Sequence, residues 1–286
     1  MKYEAPETLQ EALGLLSQDI PGTHILAGGT DLLVQLRSEL IEPERIVDIK
    51  KIGELRTIGR HDEGWLIGAA VPAAEVGEHA ELKAAWPGVV EALELIGSTQ
   101  IQGRATFGGN ICNGSPAADS VPALIAAGAR AVVAGASGER DIPIEELITG
   151  PGEIALSAGE LLVSIKLPSI QPRTGDAYLR FIPRTEMDIA VVGAGVCLEL
   201  DGEGRISKAR MGLGAVAERP LLVEEAAAVL VGSKPDEATL DRLDGVARQA
   251  TRPIDDKRGT KDFRTKVAGV LARRACAIAY ERAESR

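Results

Sequence analysis

Two stretches of this 286-residue chain carry residue types suited to holding a phosphate chain. One is Ala27-Gly28-Gly29-Thr30-Asp31-Leu32. The other opens Thr106-Phe107-Gly108-Gly109-Asn110 and runs on through Cys112, Asn113 and Ser115 to Asp119. Each sets two adjacent glycines beside hydroxyl and carboxamide or carboxylate side chains, just after an apolar segment. Successive N–H groups of a Gly-Gly turn can converge on one anion, because glycine tolerates positive φ and leaves no Cβ in the way. Thr30 and Thr106 add hydroxyl donors, and Asn110 adds an amide. Asp31 begins a helix whose N-terminal dipole favours a phosphate. Hydrogen bonds to a charged acceptor contribute about 1.5–3 kcal/mol each, so a pyrophosphate can be held without a lysine. Asp119 suits ribose or ribityl hydroxyls, from which a carboxylate accepts. One Gly-Gly pair alone is ordinarily a tight turn. Two with matching neighbours point to a bound dinucleotide.

Other motifs fall away. Neither run ends in Gly-Lys-Ser/Thr, so neither is a Walker loop. Ile189-Ala190-Val191-Val192-Gly193-Ala194-Gly195 imitates a Rossmann fingerprint, but the third glycine falls due at Leu198 and an apolar strand follows. It reads as a strand with two glycines for close packing. Asn113-Gly114-Ser115 matches a glycosylation sequon, which has no meaning without a secretory signal.

Composition narrows the class. The net charge is −10, and Lys/Arg concentrate only on the last helix, at Arg264, Lys266, Arg273, Arg274 and Arg282. Nucleic acid is therefore set aside, while that helix argues mildly for protein partners. The N-terminus lacks a signal-peptide apolar region and no run approaches a membrane span. The expectation is a cytoplasmic protein, free or on the inner face of the membrane. Cys112, Cys197 and Cys276 form no CxxC pair, and His24, His61 and His79 are scattered. No metal site is expected, so redox chemistry needs an imported cofactor.

The elements that must position these residues follow from periodicity. Residues 1–55 read as a small α/β unit: a helix over 7–17, a strand over 23–26, a helix over 31–40 and a strand over 45–49. A hairpin follows, with strands over 55–58 and 65–69 around Asp62-Glu63-Gly64, then helical segments over 73–96. The second glycine run is a loop closed by a helix over 120–127. Strands are expected at 130–134, 139–142 and 161–167. A boundary falls at Pro168-Ser169-Ile170-Gln171-Pro172, which makes 56–170 a second unit. The third, 175–286, is a meander (177–182, 189–200, 206–212) followed by helices over 223–231, 237–250 and 262–283.

On these motifs the chain resembles, over nearly its whole length, the FAD-binding medium subunit of molybdenum hydroxylases, of the xanthine dehydrogenase and aerobic carbon monoxide dehydrogenase type. The resemblance implies an α+β fold: two FAD-binding subdomains of the PCMH type, then a C-terminal domain of a small antiparallel sheet plus helices. It implies that Ala27–Leu32 and Thr106–Asn110 hold the FAD pyrophosphate and that Asp119 contacts FAD hydroxyls. The run Leu161 to Pro168 matches a strand whose leucine, here Leu162, lies near the isoalloxazine. The run Arg180-Phe181 to Ala190 matches a segment with a basic residue near the flavin, here Arg180, and an apolar or aromatic cover, here Ile189. Ile189 matches xanthine-dehydrogenase-like members, where carbon monoxide dehydrogenases carry tyrosine. The cysteine-rich loop of the 4-hydroxybenzoyl-CoA reductase subunit is lacking.

The resemblance further implies a hetero-oligomer. Substrate is hydroxylated at a molybdenum–pterin site on a large partner, and electrons pass through [2Fe–2S] centres on a small one. They reach FAD here and leave for NAD, a quinone or oxygen. No acid–base residue is then required. Two alternatives stand beside it: a self-sufficient FAD oxidase or reductase of the wider superfamily, and a non-catalytic assembly scaffold with a degenerate nucleotide site.

Overall fold

The computed structural model describes residues 1–62 and 64–286, so Glu63, at the expected hairpin turn, lies outside the described residues. The chain begins with a three-stranded parallel sheet ordered Lys2–Glu4, Arg45–Asp48, Thr23–Leu26. The first strand, three residues long, has no counterpart in the sequence reading. The helix Leu9–Leu16 starts at a capping box, in which Thr8 and Glu11 satisfy each other's backbone amides. It buries Ala12 and Leu16.

The second unit is built on a five-stranded antiparallel sheet. Its order is Ile58–His61, Gly64–Gly68, Leu161–Leu167, Arg130–Gly135, Gly138–Pro143. Residues 53–56, expected in part as strand, form a 3-10 turn instead. The helical stretch divides into Ala73–Glu78, Ala80–Ala85 and Pro87–Glu94. Pro87 starts the last of these, where its missing N–H is harmless. Ala12, Leu16, Val47 and Ile49 of the first unit pack with Ala70, Ala134, Leu161 and Val163 of the second.

The third unit is a four-stranded antiparallel sheet: Thr174–Phe181, Val192–Leu200, Ile206–Gly214 and Leu221–Leu222. Side chains alternate faces along each strand. One face carries Gly175, where a Cβ would lie 2.2 Å from the carbonyl of Ala279 on the long helix Lys261–Glu284. The other carries Gly193, Gly195, Gly212 and Gly214, with Gly195 opposite Gly212 and Gly193 opposite Gly214. A Cβ at Gly195 or Gly212 would lie 2.5 or 2.3 Å from the carbonyl oxygen of Pro122. The apparent dinucleotide fingerprint is thus a packing surface for the helix Ser120–Ala127. That helix is buried on every side and ends at Gly128 in the left-handed conformation.

The basic residues of the last helix are mostly spoken for within the chain. Arg264 is buried and donates to the carbonyls of Val191 and Ala215. Arg273 pairs with Glu237 and Asp241. Arg282 pairs with Glu91 and donates to the carbonyl of Asp176 at 2.8 Å. Lys266 and Arg274 are exposed.

Asp176 lies at the same seam. Its Oδ2 accepts from the Val89 amide at 3.0 Å, while Oδ1 is buried with no partner among the described residues. Burial lifts its carboxyl from 3.8 to about 7, against the pull of the Val89 amide, Arg282 and Arg286. The folded chain therefore keeps a proton that the unfolded chain has already released. That contribution to stability is full below pH 4 and is lost as pH rises toward 7.

Two predictions follow from this seam. Gly212→Val drives carbon into backbone that cannot yield. It is expected to cost about 3 kcal/mol or more, at or above the usual range for overpacking. Gly202→Ala, with nothing within 4 Å of its Cβ, should stay within about 0.5 kcal/mol in the same urea titrations. Asp176→Asn keeps the acceptor for Val89 and abolishes the titration. Relative to wild type it should gain up to about 4 kcal/mol between pH 4 and pH 8. A pH-independent difference in unfolding free energy would refute that account.

Candidate functional site

The strand Thr23–Leu26 ends in the Gly28-Gly29 turn, where Gly29 has φ +79. A Cβ at Gly28 would fall 2.0 Å from the carbonyl oxygen of Arg104 and 3.1 Å from Cα of Ala105. The first glycine segment therefore lies directly on the backbone that leads into the second. Asn113 Nδ2 and Asp31 Oδ1 approach to 3.5 Å across the same junction. Both segments border one cleft of about 740 Å³, within the roughly 300–1,000 Å³ typical of cofactor sites. Ala27 through Leu32, Thr106, Gly108, Gly109 and Leu162 all line it. Leu162 reaches it from the central strand, at a β-bulge between Leu162 and Ser164.

The two segments offer different chemistry. Among the described residues, the amides of Gly28, Gly29, Thr30, Asp31 and Leu32 have no hydrogen-bond acceptor. They precede or open the helix Leu32–Arg37, whose first amides have no intrahelical partner. The second segment is not the loop expected from its glycines. Phe107–Cys112 is a helix, and Thr106 caps it by accepting from the Gly109 amide at 2.9 Å. The Gly108 amide donates to the Ala69 carbonyl at 3.0 Å. Both glycine amides are thus already satisfied. Gly108 instead permits close packing, since a Cβ there would lie 2.6 Å from the Ala69 carbonyl oxygen. Gly109 meets only Thr106 Oγ1, at 3.2 Å, and so keeps the cleft wall open.

Other expected site residues lie elsewhere. Phe107 is fully buried in the core of the second unit. The Asn110 carboxamide does not border the cleft; its oxygen accepts from the Ser120 amide at 3.2 Å and hydroxyl at 2.7 Å. That bond ties the glycine helix to the helix that begins beside Asp119. Asp119 and Arg180 are not cleft-lining either. They form a buried ion pair, Arg180 Nη1 to Asp119 Oδ1 at 3.1 Å, with the Tyr178 hydroxyl donating to Asp119 at 3.5 Å. Burial lifts the Asp119 carboxyl to about 6 even though Arg180 and Tyr178 favour its charged form. Arg180 Nε is buried with no partner among the described residues. Ile189, expected within a strand, precedes the strand Val192–Leu200 and is 51 % exposed.

The cleft also includes residues that the sequence did not mark as site residues. His24 and Ile25 flank one side, and Ser157, Gly159 and Glu160 border another. Glu160 is held by Arg140 at 2.8 Å and accepts from the Ser157 amide at 2.7 Å. Arg140 chiefly, with the Ser157 amide, lowers its carboxyl to about 2. It stays ionised but compensated beside the cleft. The only signal in the sequence was a generic Ser-Ala-Gly turn. Cys112 borders the cleft too, but burial pushes its thiol up to about 12, which leaves it unreactive. Among the described residues no cluster suits a metal ion.

A cleft of this size, five unpartnered amides on one wall and a wall left open at Gly109 fit the diphosphate of a dinucleotide. Comparison with known proteins agrees. Residues 1–170 match the family model described as "FAD binding domain in molybdopterin dehydrogenase". Residues 177–279 match "CO dehydrogenase flavoprotein C-terminal domain". The carbon monoxide dehydrogenase medium chain of Afipia carboxidovorans is 35% identical, over 99% of this chain and 98% of that one. The xanthine dehydrogenase FAD-binding subunit of Escherichia coli O157:H7 is 33% identical, over 92% and 90%. A chain of the reconstituted CO dehydrogenase structure from Oligotropha carboxidovorans superposes with a TM-score of 0.94 at 34% identity. That alignment covers 99% of this chain and 98% of the other.

The glycine geometry separates cofactor loss from unfolding. Gly109→Val is expected to fold with near-normal stability, because only a side-chain oxygen lies near its Cβ, and to lose bound flavin by projecting into the cleft. Flavin absorbance per mole of purified protein, beside circular dichroism, measures both. A yellow, fully loaded Gly109→Val protein would contradict the assignment of this wall.

Proposed function

This chain belongs to the family of FAD-binding subunits of molybdopterin dehydrogenases, and from that premise we propose that it connects the [2Fe–2S] clusters of a partner to an external electron acceptor. The observation that carries the proposal is the junction at Gly28, where two segments 80 residues apart in sequence (28 against 108) share one cleft. FAD, when bound, supplies electron exchange in single or paired steps.

The chain's own residues hold and shield the cofactor. The amides of Gly28 through Leu32 and the Thr30 and Thr106 hydroxyls suit the diphosphate. Leu162, at the bulge of the central strand, supplies an apolar wall for the ring. Asp119 is assigned to FAD hydroxyls and Arg180 to the flavin environment. Their mutual ion pair means that the charge offered there is a compensated one, not a free cation. Ile189, already exposed, suits the role of a cover over one ring face. No proton donor is required of this chain; Glu160 beside the cleft is compensated by Arg140, and the Cys112 thiol is pushed out of range.

The relatives named for carbon monoxide and for xanthine match over nearly the same length. A shared flavoprotein with different substrates supports placing the substrate site on another chain, the large molybdenum–pterin subunit. Ile189 agrees with a xanthine-dehydrogenase-like member. No described helix is long and apolar enough to cross a membrane.

The test is anaerobic flavin spectroscopy. The isolated, FAD-loaded chain should not bleach with an organic substrate. The complex reassembled with its iron–sulfur and molybdenum–pterin subunits should bleach, and should reoxidise on adding NAD, a quinone or oxygen. Substrate turnover by the isolated chain would favour a self-sufficient oxidase or reductase instead.

A further inference from the structure

The segment after the first glycine turn is apolar yet unburied. The helix Leu32–Arg37 has no buried residue, although Leu32, Leu33, Val34 and Leu36 lie in it. Leu33, Val34 and Leu40 are 52, 59 and 73 % exposed. An amphipathic helix of a finished surface hides its apolar stripe, and this one does not.

The chain makes a specific effort to display Leu40. The Leu40 amide donates to the Gln35 carbonyl and the Glu39 amide to the Leu36 carbonyl. This is a Schellman ending, which turns the chain back along the last helical turn. Glycine is the usual residue at its left-handed position, but Glu39 occupies it with φ 55. A non-glycine residue is uncommon there, and here it fixes the turn that carries Leu40.

The charge around the apolar patch selects its occupant. Asp31 at the start of the helix and Glu39 and Glu42 just beyond its end are exposed, against Arg37 within it. A symmetric contact with a second copy would set this acidic rim against itself. An anionic lipid surface would be repelled by it, and the whole chain carries −10. Both occupants are disfavoured by like-charge juxtaposition. We propose that this patch docks a partner subunit that presents an apolar ridge flanked by lysine or arginine. The inference rests on reading the chain as one subunit of a complex. Leu32 and Gln35 of the same helix border the cofactor cleft, so docking there also braces one wall of the cleft.

The test uses the chain co-expressed with its iron–sulfur and molybdenum–pterin subunits. Val34→Glu/Leu40→Glu alters two exposed side chains that do not border the cleft. This variant should retain FAD at wild-type stoichiometry and lose partner binding at least about tenfold in sedimentation or titration. Glu39→Lys/Glu42→Lys should weaken binding at low salt and converge with wild type at high salt. Unchanged assembly of the Val34/Leu40 variant would overturn the inference alone. So would a wild-type dimer of the isolated chain, or flotation with phosphatidylglycerol vesicles, that this variant abolishes. Failure of the wild-type chain to bind either subunit would overturn the complex reading and this inference with it.

Discussion

The whole arrangement hangs on a place where backbone meets backbone. At Gly28 there is room for a hydrogen and nothing larger, because the Arg104 carbonyl lies where a Cβ would project. Contact of this kind has no slack: it fixes the end of a parallel strand in the first unit against the entry to a helix in the second. The cleft, the unpartnered amides and the open wall at Gly109 are all consequences of that fixed distance. A side-chain contact could have been relaxed by a change of rotamer; this one cannot.

Electrostatics here work by compensation. The cleft of this acidic chain offers unpartnered backbone amides, and Glu160, one of the carboxylates that line it, is bound by Arg140. The same economy governs the C-terminal helix. Its arginines look like an interaction surface in the sequence, but Arg264 reaches inward to carbonyls of its own unit and Arg282 to Glu91 of the second unit. They are clamps between layers. One exposed surface is the apolar one beyond the first glycine turn, whose helix carries a single cation, Arg37.

Much of this was legible in the chain. The strand–turn–helix at residues 23–37 shows in its periodicity and its glycines. Gly193 and Gly195 were readable as packing residues because the third fingerprint glycine is a leucine and the strand continues. The helix at Phe107–Cys112 was not readable. It is six residues long, and two of them are glycines that each disfavour helix by about 1 kcal/mol. Its existence depends on the Thr106 cap and the Ala69 carbonyl, the latter far off in sequence. The Asp119–Arg180 pair spans two units, and no local spacing announces it. The Asn110 contact is hidden for the same reason: a carboxamide beside glycines suits a ligand, and nothing local announces that its oxygen accepts from Ser120. Lys2–Glu4 is too short for alternation to show, and the break before Val192 leaves Ile189 outside its strand.

The three glycines that face Pro122, Gly195, Gly212 and Gly214, bear on how such chains diversify. The sheet they belong to grips the helix that starts beside Asp119, so the C-terminal unit is not a detachable appendage. Recombination that replaced it with a homologous module would succeed only where the incoming strands offered the same bare strip to that proline. A turn at the far end of that sheet, such as Gly202 with nothing within 4 Å of its Cβ, carries no such restriction.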